Sequence, residues 1–199
     1  MKASLCFLCA FALGIGVGWS DVLPQEVRHS GSELWVLYAL LLCVGFGVGA
    51  DKRSIQSLLR INIPGLVLPG AVVAGSLLGA GGVALLFDIS SLREGFAVGA
   101  GFGYYSLSSI LITQVRGEEL GVIALLSNVF REVLTLSLAP VLYAYWGRLA
   151  PIACAGATSM DTTLPVIHRL VGTRLSLLSV VNGIVLSLLV PVLVPLLLA

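Results

Sequence analysis

The sequence predicts an all-α, polytopic helical membrane protein with about seven hydrophobic segments, two of them interrupted or re-entrant. Three observations predict it. Hydrophobic residues make up 58% of the 199 positions and charged residues only 11%, with a mean hydropathy of +1.05. A soluble domain carries about 25% charged residues, so the polar surface needed to cover a globule in water is missing. Apolar runs approaching the ~20 residues of a bilayer-crossing helix recur from end to end. Two of those runs carry glycine, hydroxyl, acidic or proline residues where a lipid-facing helix would carry leucine and valine. One membrane domain over 1–199, with no soluble domain, is expected.

Leu5–Trp19 is a short first span. Met1-Lys2 before it resembles a secretory signal, but no small-x-small cleavage site follows and further spans do, so a retained helix is expected. Asp21–Glu33, with Pro24, Arg28 and His29, reads as a loop. Leu34–Ala50 is the second span, closed by Asp51-Lys52-Arg53. Ile63–Phe87 is the third, Gly95–Thr113 the fourth, Leu120–Trp146 the fifth and longest, Ala150–Ile167 the sixth, and Leu175–Ala199 the last. Glycines spaced by four, as in Gly14/Gly18, Gly45/Gly49, Gly75/Gly79 and Gly95/Gly99/Gly103, suit close helix packing. If every segment crosses once, seven Lys and Arg residues, among them Lys52, Arg116 and Arg169, share one side, and Arg28, Arg93 and Arg148 the other. That favours a cytoplasmic N-terminus. A re-entrant 150–167 segment would move Arg169 and Arg174 across and level the count.

Composition also excludes functions. Eleven Lys+Arg against ten Asp+Glu, with no basic run, gives no footprint for nucleic acid. No H-E-x-x-H or G-x-S-x-G occurs, and neither His29 nor His168 lies well inside a span, so an enzyme is not expected. No cofactor or metal is expected. Cys6 and Cys9 have C-x-x-C spacing, but they sit in an apolar run and read as small hydrophobes.

Three polar constellations remain. Gly101-Phe-Gly-Tyr-Tyr-Ser-Leu-Ser-Ser109 makes a poor continuous helix. Its serines can bond back to a kinked helix, or the helix is interrupted and lines a cavity, since irregular backbone at membrane depth needs protein or water around it. Asn128-Val-Phe-Arg-Glu132 lies mid-span, where a charge costs about 2.5–3.5 kcal/mol on insertion scales. Asn128, Glu132 and Thr135 share one helix face, while Arg131 stands about 100° from Glu132. A carboxyl group in low dielectric takes up a proton more readily, which makes a mid-span acid a candidate proton carrier. Arg131 and Glu132 can also serve as buried helix–helix pairs. Gly156-Ala-Thr-Ser-Met-Asp-Thr-Thr-Leu-Pro165 reads as a discontinuous helix, with Thr158 and Ser159 as caps and Asp161 as its acid, or as an ordinary turn at a helix start.

These same segments, Gly101-Phe-Gly-Tyr-Tyr-Ser-Leu-Ser, Asn128-Val-Phe-Arg-Glu and Gly156-Ala-Thr-Ser-Met-Asp-Thr-Thr-Leu-Pro-Val-Ile, together with Leu186-Ser-Leu-Leu-Val-Pro-Val-Leu-Val-Pro, resemble the signature segments of the LysO-type lysine exporters. The resemblance covers nearly the whole chain, in the family's order, and matches the C-terminal portion of its longer members. It implies a multi-pass protein of the cytoplasmic (inner) membrane that exports L-lysine, driven by exchange with a proton or another coupling ion. Glu132 and Asp161 are then the leading substrate- or ion-binding residues. Asn128, Arg131, Tyr104, Tyr105, Ser106, Thr158, Ser159 and Thr162 accompany them as candidates. Arginine and ornithine are not separated from lysine as substrates. The missing N-terminal portion leaves open a small partner membrane subunit, a homo-oligomer, or an accessory chain without transport of its own. A carrier of another small substrate is the other alternative.

Overall fold

The computed structural model describes residues 63–87 and 91–199, with Ala39, Leu42 and Phe46 as isolated helical positions besides. The chain divides into two units, Met1–Leu42 and Cys43–Ala199, and every element below belongs to the second. The spans expected at Leu5–Trp19 and Leu34–Ala50, and the C-x-x-C pair, lie outside the two described stretches.

Six α-helices follow one another: α1 (Ile63–Phe87), α2 (Leu92–Gly99), α3 (Tyr105–Arg116), α4 (Glu118–Trp146), α5 (Ala150–Ala155) and α6 (Leu164–Leu198). A 3-10 turn, Gly156–Met160, lies between α5 and α6. No strand occurs among the described residues. Leu66–Phe87 of α1, α4 and α6 are each long and apolar enough to cross a membrane by length and composition. Leu78, Leu86, Phe130, Leu134, Val192 and Leu196 on these helices are exposed. Such surface is unfavourable in water and matches hydrocarbon.

The third expected span coincides with α1, and the fifth with α4 but for two residues at its start. The fourth and sixth are broken. The fourth becomes α2 and α3, separated by Ala100–Tyr104, and the sixth becomes α5, the 3-10 turn and the start of α6. The last span is joined to the sixth in one helix that bends at Gly172, whose φ of 76° and ψ of 176° are not helical. Ser176 braces this bend, donating from Oγ to the Gly172 carbonyl at 2.9 Å and meeting His168 Nδ1 at 2.9 Å.

Small residues set the packing of α2 on α1. A Cβ on Gly95 would stand 2.5 Å from the Ala84 Cβ, and one on Gly99 would stand 2.7 Å from the Ala80 Cβ and 2.8 Å from the Ser76 carbonyl. The spacing read as small-xxx-small therefore works at Gly95 and Gly99. At Gly75 and Gly79, on the same sequence argument, an added Cβ would meet nothing within 4 Å among the described residues. Gly99→Val is expected to force α1 and α2 apart and lower the melting temperature of the detergent-solubilised protein, at about 1–3 kcal/mol for overpacking. Gly79→Val should leave it nearly unchanged. Equal melting of the two variants would contradict this packing.

α2 begins with a capping box: Glu94 N–H donates to Ser91 Oγ at 3.3 Å, and Ser91 N–H to Glu94 Oε2 at 3.0 Å. α3 and α4 form a hairpin through Gly117, at φ 93°. Leu68, Ile152, Ala155 and Ile167 form a buried apolar cluster that ties α5 to α1 and α6. Both broken segments are thus held against long helices.

Candidate functional site

The two breaks touch each other. In the first, Phe102 and Gly103 take positive φ (48° and 99°), which turns the chain sharply out of α2. In the second, Gly156 takes φ 64° and ψ −127° after α5. The Ala157 N–H donates to the Phe102 carbonyl at 2.8 Å. A Cβ on Gly103 would stand 3.0 Å from the Ala155 carbonyl, and one on Gly156 would collide with the Phe102 carbonyl. Backbone meets backbone here, and freed polar groups of one break satisfy the other, as burial requires.

The break in the first segment lies before its serines and ends at Tyr104. Ser106, Ser108 and Ser109 are all in α3; Ser108 Oγ donates to the Tyr104 carbonyl at 2.9 Å and Ser109 Oγ to the Ser106 carbonyl at 3.3 Å. Helical back-bonding and an interruption, weighed as alternatives, both occur, side by side. Ser106 itself is half-buried.

α4 runs past both breaks. Glu132 is the fifteenth of its 29 residues, the midpoint of a helix about 43 Å long. Asn128 is buried at 4% exposure; its Oδ1 accepts the Gly103 N–H at 2.7 Å and its Nδ2 donates to the Ala124 carbonyl at 2.8 Å. Arg131 follows three residues on, on the same side of α4 as Asn128. Its Nε donates to the Cys154 carbonyl at 2.7 Å, Nη2 to the Ala153 carbonyl at 3.1 Å and Nη1 to Ser76 Oγ at 2.9 Å. The carbonyls it binds belong to the last turn of α5, where a cation is favoured. Arg131 also reaches a groove of about 620 Å³ between α1, α4 and α5, lined besides by Val72, Phe130, Leu134 and Thr135.

Glu132 and Asp161 come from different elements, and the negative charge of each bears on the Tyr105 hydroxyl. The charge of Asp161 bears on Tyr104 as well. Tyr104 closes the first break, Tyr105 opens α3, Glu132 is on α4 and Asp161 follows the 3-10 turn of the second break. Glu132 is half-buried and Asp161 exposed. Among the described residues neither acid forms an ion pair. Asp161 Oδ1 accepts from Thr162 N–H at 2.6 Å and from Thr162 Oγ1 at 3.3 Å. Among the described residues its other oxygen accepts no hydrogen bond.

Thr158 and Ser159 are buried and do structural work. The Thr158 carbonyl accepts from the Asp161 and Thr163 N–H groups and from Thr163 Oγ1, so it organises the turn that presents Asp161. Ser159 and Ser179 exchange hydroxyl-to-carbonyl bonds at 2.8 Å each way. Asn182 Nδ2 donates to the Gly156 carbonyl and to Ser159 Oγ, both at 3.1 Å. Ser76, Ser179 and Asn182 were not picked out from the sequence. Asn182 could have been, since an amide in a Leu- and Val-rich span is costly unless bonded; it is fully buried.

The family model described as "Lysine exporter LysO" matches residues 8–198. A "Putative lysine exporter" of Haemophilus influenzae is 34% identical over 188 residues, covering 94% of this chain and 93% of that protein. The "Lysine exporter LysO" of Escherichia coli is 33% identical over 182 residues, covering 92% of this chain and 60% of that protein. The shortfall expected against longer relatives is present for the second protein and absent for the first. No solved structure matches the chain. With the family model matched over nearly the whole chain and two relatives above 30% identity, this chain belongs to the lysine exporter LysO family.

Proposed function

We propose that the chain exports L-lysine, or a closely related cationic amino acid, across the cytoplasmic membrane as an ion-coupled secondary transporter. The observation that carries this reading is the closing of two broken helices on each other against the middle of α4, with Glu132 on α4 and Asp161 in the second broken segment. Lysine carries two ammonium groups and one carboxylate. Two carboxylates of separate origin can receive two ammonium groups, and the rings of Tyr104 and Tyr105 can cover the methylene stem between them. Discontinuous helices at mid-depth are where secondary transporters hold substrates and ions. The contact of both breaks with the middle of α4 supports that depth, and we read the two broken segments as entering the membrane to meet there.

Coupling follows from charge. Moving one positive charge out of an inside-negative cell costs about 2.3 kcal/mol per 100 mV. Exchange of lysine for one proton or other monovalent cation cancels that cost. An acid that holds either an ammonium group or the incoming cation, never both, performs the exchange.

The test is efflux of labelled lysine, and resistance to thialysine, in exporter-deficient cells expressing this chain. Efflux by the chain alone is expected. Coverage of only 60% of the Escherichia coli relative favours a second reading, a chain that works with a further membrane subunit. Efflux only on co-expression with such a subunit would select that reading, and none in either case would reject transport of lysine.

A further inference from the structure

Asn128 and Arg131 lie on α4 within about a turn of Glu132, and both were expected to touch the transported molecule or ion. Their bonds point elsewhere. Both polar atoms of Asn128 are engaged by backbone, one in the first break and one in its own helix. Three nitrogens of Arg131 are engaged by the end of α5 and by α1. The partial negative charge at the C-terminal end of α5 lies against the guanidinium, so the half-buried cation has favourable partners without a substrate carboxylate. Residues 128 and 131 are three apart and share a side of α4. One holds the break at Gly103 and the other the end of α5 just before Gly156. The joint they clasp is itself closed by a single backbone bond, Ala157 N–H to the Phe102 carbonyl.

We infer that Asn128 and Arg131 are positioning residues: a two-point bracket by which α4 fixes both breaks around Glu132, with neither side chain a ligand of the transported molecule. This rests on the transport reading above. The bracket explains why a planar, multiply donating guanidinium stands at position 131: two adjacent carbonyls and a hydroxyl on another helix need a fork, which a lysine cannot supply. It also makes α4 a rigid link, because a shift of the helix on exchange at Glu132 would pull on both breaks together.

Uptake of labelled lysine into everted membrane vesicles measures the inference, with lysine amide as a competitor lacking the carboxylate. Arg131→Lys and Asn128→Leu are expected to lower Vmax about 10- to 100-fold, the size of losing bonds to a charged or buried group. KM for lysine and the preference for lysine over lysine amide should stay near wild type. Asn128→Asp, which keeps the oxygen that accepts the Gly103 N–H, should recover much of the Vmax lost in Asn128→Leu. A second readout does not depend on transport. In a background lacking Cys6, Cys9 and Cys43, maleimide should label Cys154 faster in Arg131→Lys than with Arg131 in place, as the end of α5 loosens.

A KM raised tenfold or more with Vmax kept, together with loss of the preference for lysine over its amide in Arg131→Lys, would make Arg131 a carboxylate ligand and overturn the bracket. So would unchanged kinetics and unchanged labelling. If wild-type vesicles take up no lysine, the proposed function fails, and the labelling comparison still decides the bracket.

Discussion

Glu132→Gln is expected to bring lysine efflux down to that of cells without the chain, with the protein still present in the membrane. Glutamine keeps the shape and the hydrogen-bonding capacity of the side chain and removes only the charge. That charge is assigned two tasks, attraction of an ammonium group and exchange with the coupling cation. The first alone corresponds to about 1.5–3 kcal/mol for a bond to a charged group, roughly 10- to 150-fold. The second is all-or-none, because a neutral side chain cannot alternate between lysine and a proton. An imposed inward proton gradient should therefore stimulate wild-type efflux and leave the variant unmoved. Asp161→Asn is expected to do less, about tenfold and chiefly in KM, since Asp161 is exposed and one of its oxygens already serves Thr162. Efflux that survives in both variants would sink the carboxylate mechanism. A greater loss at Asp161 than at Glu132 would exchange their roles.

How much of this was visible in the sequence depends on the range of the interaction. α1 and α4 are written in local composition, and their ends fall where apolar runs end, at Phe87 and Trp146. The two breaks are local as well: glycine, serine and proline in a span leave a compositional mark. What has no local mark is pairing across the chain. Nothing near Arg131 in sequence says that its partners are the carbonyls of Ala153 and Cys154 and the hydroxyl of Ser76, because backbone acceptors carry no residue identity. Gly172 sits between Val171 and Thr173 with no proline to announce a bend, and its φ shows only in three dimensions. Serine is ambiguous by nature: Ser108 and Ser109 bond within α3, whereas Ser159 and Ser179 bond to each other across 20 residues. The acids were found because an ionisable group in lipid is rare enough to stand out at any range.

Gly156→Ala should do more harm than any other change of a single methyl group in the described residues. Its φ of 64° with ψ of −127° lies outside the conformations an L-residue adopts freely, a strain of about 1–3 kcal/mol. The added Cβ would also occupy the place of the Phe102 carbonyl and stand 3.1 Å from Arg131 Nη2. Relief requires the breaks to separate, which gives up the Ala157 to Phe102 bond, a further ~1 kcal/mol, and exposes polar backbone at the depth of the middle of α4. The long helices α1, α4 and α6 need none of this to insert, so the variant is expected in the membrane, melting several degrees lower and exporting little or no lysine. Gly75→Ala is the control. The same methyl group there meets nothing within 4 Å among the described residues, and a helical glycine exchanged for alanine gains about 0.5–1 kcal/mol. The contrast separates helix stability from the joint: if Gly156→Ala melts and transports like Gly75→Ala, the crossing of the two breaks is not what holds Glu132 and Asp161 together.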